Sequence, residues 1–236
     1  MLREQNVSEG ALKVIKAVLS SQLDLQDTPH ALFMRGELGD AVDAAGLVDM
    51  HEGARVEVIG GEVVVSPAPA LDHGAIVEDV SEAFVRARQT DVEHEWRCQQ
   101  GVSLDMVSLG EDFGFIPDLV VGESATIKAA RHAQVTSLIS DEVELVMEVT
   151  SWGNIRRERP PVDGRATKWA AYARAEIPYY LLIDRDPKAA RVVLYTIPDA
   201  ATGAYLDEQT WAFGEAVVLP DPFGLKIPTD EWRTWA

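Results

Sequence analysis

The sequence predicts an α/β fold of mixed α+β character: a mixed central sheet flanked by helices, with a helical extension at its N-terminus. Three observations carry this expectation. The first is a hairpin pattern, "ARVEVIGGEVVVSPAP", over 54–69. The second is a pair of apolar runs of strand length, "FIPDLVV" (115–121) and "ELVMEVT" (144–150), each with one acid embedded in it. The third is a helical pattern, "DGRATKWAAYARA" (163–175), followed by two strand patterns, "IPYYLLIDRD" and "ARVVLYTI". A chain of 236 residues can bury one good core. The expected organisation is therefore an N-terminal helical extension over 1–50 and one main domain over 51–236.

In chain order, "SEGALKVIKAVLSSQ" (8–22) has helical spacing at Leu12, Ile15, Val18 and Leu19, behind a Ser8 cap. A second helix is expected within 30–47. The paired glycines Gly60 and Gly61 suit a tight turn that needs positive φ, so the flanking runs read as a hairpin. Pro67 and Pro69 stop its second strand. Asp72 can cap the next helix, "HGAIVEDVSEAFVRARQ", whose apolar side is Ile76, Val80, Phe84 and Val85. "HEWRCQQGVSLD" reads as a strand, and "SATIKAARHAQVTSLI" as a helix or a partly ordered connection. The tail reads as irregular β with Trp211, Phe213 and Trp232.

Composition removes several functions. Hydrophobic residues make up 47% and charged residues 25% of the chain, ordinary for a globular protein. No apolar run approaches the ~20 residues that cross a bilayer, so no membrane partner is expected. "MLREQNVSEG" lacks the apolar segment of a signal peptide. Cys98 is the only cysteine, which excludes internal disulfides and a four-cysteine zinc site and suits a reducing cytoplasm. Neither GxxxxGK[ST] nor GxSxG occurs. The net charge of −18 argues against nonspecific coating of nucleic acid, but charge can be segregated. Between 156 and 174 stand Arg156, Arg157, Arg159, Arg165, Lys168 and Arg174 against Glu158 and Asp163, which is 6 − 2 = +4. For any one of these arginines a solvated helix face plus its loop is the better reading, and the cluster's place directly after Glu148 keeps the functional one.

The chemistry centres on two acids that apolar strands would hold out of water, a costly placement unless something pairs with them. Alternation along 144–150 puts Glu148 on one face with Glu144, Val146 and Thr150, and Asp118 shares its face with Ile116 and Val120. If the strands are neighbours, Asp118 and Glu148 converge. A hard cation such as Mg²⁺ (or Mn²⁺) takes one or two carboxylates plus waters and phosphate oxygens. Lys168, on the helix that follows, can orient the attacking water and stabilise charge on a phosphate. Together they suit metal-assisted phosphodiester hydrolysis. The structural alternative is a buried ion pair with Arg or Lys.

"IPDLVV", "LVMEVTS" and "KWAAYARAEIPYYLLIDRD", preceded by "VEVIGGEVVVSPAPALDH", resemble the bacterial putative restriction endonuclease family of the PD-(D/E)XK nuclease superfamily. The resemblance spans roughly residues 52–200, a range read from those motif blocks. It implies a restriction-endonuclease-like fold for 51–236, with a mixed central sheet flanked by helices, a divalent metal on Asp118 and Glu148, and assembly into homodimers or larger oligomers, and it says less about substrate. Thr150 stands where a lysine would complete (D/E)XK, and Lys168 occupies the place to which such family members move it. Glu78 corresponds to an extra acid used by some superfamily members, or is an exposed helix carboxylate. His73 resembles a recurrent family histidine, with capping or packing as the alternative. Gln99 and Gln100 are candidate supporting donors. Tyr172 reads as packing under the site, and Trp152 either stacks on a base or covers the core. Arg156, Arg157, Arg165 and Arg174 are candidate DNA contacts.

Three functions fit: a metal-dependent DNA endonuclease, a catalytically weak nuclease-fold binding or regulatory protein, and a metal-dependent hydrolase of another phosphodiester. Leu32, Phe33, Met34, Trp211, Phe213, Trp232 and Trp235 either form a homodimer interface or cover their own core.

Overall fold

The computed structural model describes residues 28–44, 54–162 and 164–235. The expected helix over 8–22 and its Ser8 cap lie outside the described residues. The single helix expected within 30–47 is two short ones, α1 (Pro29–Met34) and α2 (Leu38–Ala44). The turn at Arg35 and Gly36 separates them, with Gly36 at φ 73°.

The hairpin forms as the sequence predicts. β1 (Arg55–Ile59) pairs antiparallel with β2 (Glu62–Ser66), and Gly60 and Gly61 adopt φ of 61° and 74°. α3 (Leu71–Thr90) follows, but its cap position is Ala70 and gives no side-chain bond. Asp72 lies in the first helical turn instead, where it favours the dipole rather than capping it. The buried side of α3 is His73, Ile76, Val77, Val80 and Phe84, while Val85 is exposed.

The strand expected over 94–105 breaks in two at Gly101, which has φ 59°. Its halves, β3 (Trp96–Gln100) and β4 (Ser103–Asp105), join different sheets. β5 (Phe113–Phe115), β6 (Leu119–Glu123), α4 (Ser124–His132), β7 (Ser137–Ile139) and β8 (Leu145–Val149) come next. A short helix α5 (Ile155–Glu158) leads to α6 (Lys168–Arg174). α6 starts later than the expected residue 163, because Thr167 caps it by accepting the Ala170 N–H at 3.1 Å. β9 (Tyr179–Asp184) and β10 (Arg191–Asp199) are adjacent and antiparallel, as expected. The tail adds β11 (Ala204–Ala212), β12 (Val217–Leu219) and β13 (Leu225–Ile227).

Two mixed sheets result. One has the order β2-β1-β5-β4-β7 and the other β11-β10-β9-β8-β6-β3, while β12 and β13 pair separately. β8 and β9 run parallel, with α5 and α6 in the connection between them, and the remaining pairings of the six-stranded sheet are antiparallel. Strand alternation gives that sheet two apolar faces. Leu145, Met147, Val149, Leu181 and Ile183 pack on α3 and the β12–β13 hairpin. Val120, Val146, Tyr180 and Leu182 pack on α6 and on Ile59, Leu104 and Phe115 of the other sheet. The hairpin's opposite face, Val56, Val58, Val63 and Val65, packs on Leu32, Phe33, Leu38 and Val42 of α1 and α2. Of the residues suggested for a homodimer interface, Leu32, Phe33, Trp211 and Trp232 are buried in their own chain. They cover the core. No helix among the described residues is long and apolar enough to cross a membrane.

Candidate active site

β6 and β8 are neighbours, as convergence of the two acids requires. Leu119 pairs with Met147, so one further step of this antiparallel register sets Asp118 opposite Glu148. The Val149 N–H donates to Asp118 Oδ2 at 2.7 Å, fixing that carboxylate at the strand end. Both acids project from the sheet face that meets α6 and β1. Glu148 is 1% exposed and Asp118 5%.

α6 approaches Glu148 with two side chains. Lys168 and Tyr172 are four residues apart and share one helix side. Lys168 Nζ lies 2.9 Å from Glu148 Oε1, and the Tyr172 hydroxyl donates to the same oxygen at 2.7 Å. A lysine at a helix N-terminus opposes the dipole. Here its ammonium is held by carboxylates, since Glu57 Oε1 lies 2.8 Å away as well. The Tyr172 ring is wedged between Phe115 and Tyr180, with ring centroids 5.3 Å from each. Tyr172 is thus a donor to Glu148 as well as packing.

β1 contributes what the sequence reading missed. Glu57 alternates with Val56 and Val58, so it points toward the six-stranded sheet, where its Oε1 also accepts the Ile116 N–H at 2.7 Å. Arg55 Nη2 lies 2.6 Å from Asp118 Oδ1, and His73 Nε2 lies 2.9 Å from the same oxygen. The alternative structural reading of the acids is therefore partly realised, because each has a cationic neighbour.

The electrostatics are those of a crowded, dry cluster. Burial pushes the Glu148 carboxyl up; Asp118 and Glu57 add to the rise, Lys168 and Tyr172 oppose it, and it stands at about 7. Burial also acts to raise Asp118, but His73, Arg55 and the Val149 N–H overcome it and hold that carboxyl at about 2. Burial would lower the Lys168 ammonium, yet Glu148, Glu57 and Glu158 hold it above its ordinary value. Glu158, on α5, is raised well above the carboxylate range by burial and by Glu148, and its Oε2 is buried with no partner.

The facing carboxylates of Asp118 and Glu148 and the orphaned oxygen of Glu158 are donors of the type a hard divalent cation takes. Among the described residues no group of three or more His, Cys, Asp or Glu side chains forms a ready-made cage. Two carboxylates completed by water and phosphate oxygens need none.

The other candidates are distributed as follows. His73 joins the cluster. Thr150 is buried outside it, accepting the Arg185 N–H at 2.8 Å and so tying the end of β8 to β9. Glu78 is exposed on α3, and Gln100 is exposed at the end of β3. Arg156 and Arg165 are exposed, and Arg157 is half-buried, 3.7 Å from Glu62. Arg174 lies at the far end of α6 from Lys168, against the turn at Gly203. A depression of about 370 Å³ lined by Arg88, His94, Arg97 and Lys128 lies elsewhere. Arg97 pairs with Gly122, toward the end of β6 away from Asp118.

The profile described as "Uma2: Putative restriction endonuclease" matches residues 44–230. The chain belongs to the Uma2 family. Its fold is similar to the crystal structure of a putative nuclease belonging to DUF820 from Anabaena variabilis. The TM-score is 0.55 at 14% identity, over 81% of this chain and 96% of that one. At that identity the likeness speaks for the fold alone, a mixed α/β architecture. No curated protein matches the chain.

Proposed function

We propose that the protein is a Mg²⁺- or Mn²⁺-dependent endonuclease that hydrolyses DNA phosphodiester bonds. The observation that carries this reading is the facing pair Asp118 and Glu148 with Lys168 bonded to Glu148. Membership in a restriction endonuclease family supports it. In the proposed site Asp118 and Glu148 would hold the ion, which when bound supplies Lewis-acid polarisation of a phosphate and activation of water. Lys168, held between Glu148 and Glu57, directs its ammonium at the phosphate or the attacking water. Tyr172 fixes the Glu148 carboxylate through Oε1. Water adds to phosphorus, one P–O ester bond breaks, and the water's proton ends on the leaving oxygen. Arg55, the most exposed member of the cluster with 21% of its side chain accessible, is placed to meet substrate phosphate. We include in the reading a catalytic unit over 51–236, with 1–50 as an extension.

Plasmid nicking tests this. Supercoiled DNA should be cut in Mg²⁺ or Mn²⁺ and left intact in EDTA or by Glu148→Ala. A variant that still cuts would remove Glu148 from the chemistry.

One observation favours the second reading, a binding protein without catalysis: Asp118 and Glu148 are already ion-paired and almost wholly buried. Calorimetric titration with Mn²⁺ separates the two, since a purely structural cluster takes up no metal. Cleavage of a small phosphodiester but not of DNA would favour the third reading.

A further inference from the structure

The chain has six tryptophans, and five are buried or half-buried. Trp152 is the exception, with 66% of its surface exposed. An indole left in water has lost the stabilisation that burial gives an aromatic ring, so Trp152 is not there to cover the core. Its place in the chain is specific: it stands four residues past Glu148 and two past Thr150, in the turn leading out of β8. That turn is held. The Ile155 and Asn154 N–H groups both donate to Ser151 O, and Asn154 Nδ2 donates to Ser66 Oγ at the end of β2. The turn leads straight into α5, whose second residue is Arg156, so Trp152 and Arg156 belong to one short tethered segment. Both are exposed. An exposed aromatic face and an exposed guanidinium in one short segment are the two groups that a nucleotide's base and phosphate require.

We propose that Trp152 stacks on a nucleobase of an unpaired DNA segment while Arg156 holds that segment's phosphate. The site would thus take DNA with single-stranded character beside the bond to be cut. Stacking demands a bare base face, which a continuous duplex covers with neighbouring base pairs. The inference rests on the nuclease reading for its substrate class, but it concerns binding and needs no turnover.

The test is fluorescence titration in EDTA with a 12-residue oligothymidylate and with a blunt duplex of equal length. The single strand should quench the wild-type protein. Trp152→Ala, a surface change that should leave the circular dichroism spectrum intact, should lose that quench and bind about tenfold more weakly or worse. Trp152→Phe should retain most of the affinity, because it keeps a ring. Equal binding by Trp152→Ala and wild type, no binding of the single strand, or an equal Trp152-dependent quench with duplex would each overturn the proposal. Cleavage assays keep the two readings apart. Protein that stacks the strand yet never cuts would sink only the nuclease reading. Protein that cuts while Trp152→Ala binds normally would sink only this one.

Discussion

Tyr172 and Lys168 meet at one atom: the hydroxyl and the ammonium both bond Glu148 Oε1, at 2.7 and 2.9 Å. Deleting the hydroxyl alone isolates its share. Tyr172→Phe keeps the ring between Phe115 and Tyr180 and removes one bond to a buried carboxyl. We expect a loss of about 1–3 kcal/mol in urea unfolding. A change below a few tenths would show that the bond is not formed in solution.

Lys168→Ala does more than remove a candidate catalytic group. It leaves Glu148 and Glu57 buried without their shared cation, a loss of about 3–5 kcal/mol when one partner of a buried pair is removed. Lys168→Met fills the space better and is the cleaner probe. It should retain Mn²⁺ binding by calorimetry and lose most plasmid cleavage. Cleavage undiminished in Lys168→Met would make the lysine purely structural.

Glu57→Gln keeps an acceptor for the Ile116 N–H while removing one negative charge from the cluster. Mn²⁺ affinity should fall several-fold, against complete loss in Glu148→Ala. Unchanged affinity would mean that Glu57 serves only to hold Lys168.

The arginines should divide by position. Arg165→Ala should weaken DNA binding and reduce its dependence on log salt by about one unit of slope. Arg174, at the distal end of α6, should be replaceable by Ala without effect on either. The opposite result would move the DNA path to the far side of the helix.

Assembly into a homodimer, which the family resemblance implies, must use a surface other than Leu32, Phe33, Trp211 and Trp232, since these lie in the monomer's own core. Light scattering at micromolar protein should return twice the chain mass. A monomer mass removes the dimer.

Asp118 and Glu148 were legible because a lone acid in an apolar strand needs a partner, and alternation told which face it takes. "RVEVIG" carries the same signal at Glu57, but the neighbouring glycines drew the reading to the turn instead. Glu158 could not be found this way. It stands in an arginine-rich run that reads as solvated, and only the packing of α5 beneath the sheet buries it. The β1 contacts of Arg55 and Lys168 span 63 and 111 residues, and local pattern says nothing about which distant strand will lie opposite. The Asp72 cap failed for a simpler reason: the helix begins two residues too early for it.

The cluster draws on β1, α3, β6, β8 and α6, with Arg55 at one end of the stretch and Tyr172 at the other. A chain still being synthesised holds these groups apart until α6 has left the ribosome and docked on the sheet. Whatever chemistry the cluster performs is withheld from every shorter nascent form. Any fragment ending before Lys168 carries both carboxylates and none of the helix that orders them, so the cluster assembles only once α6 is in place.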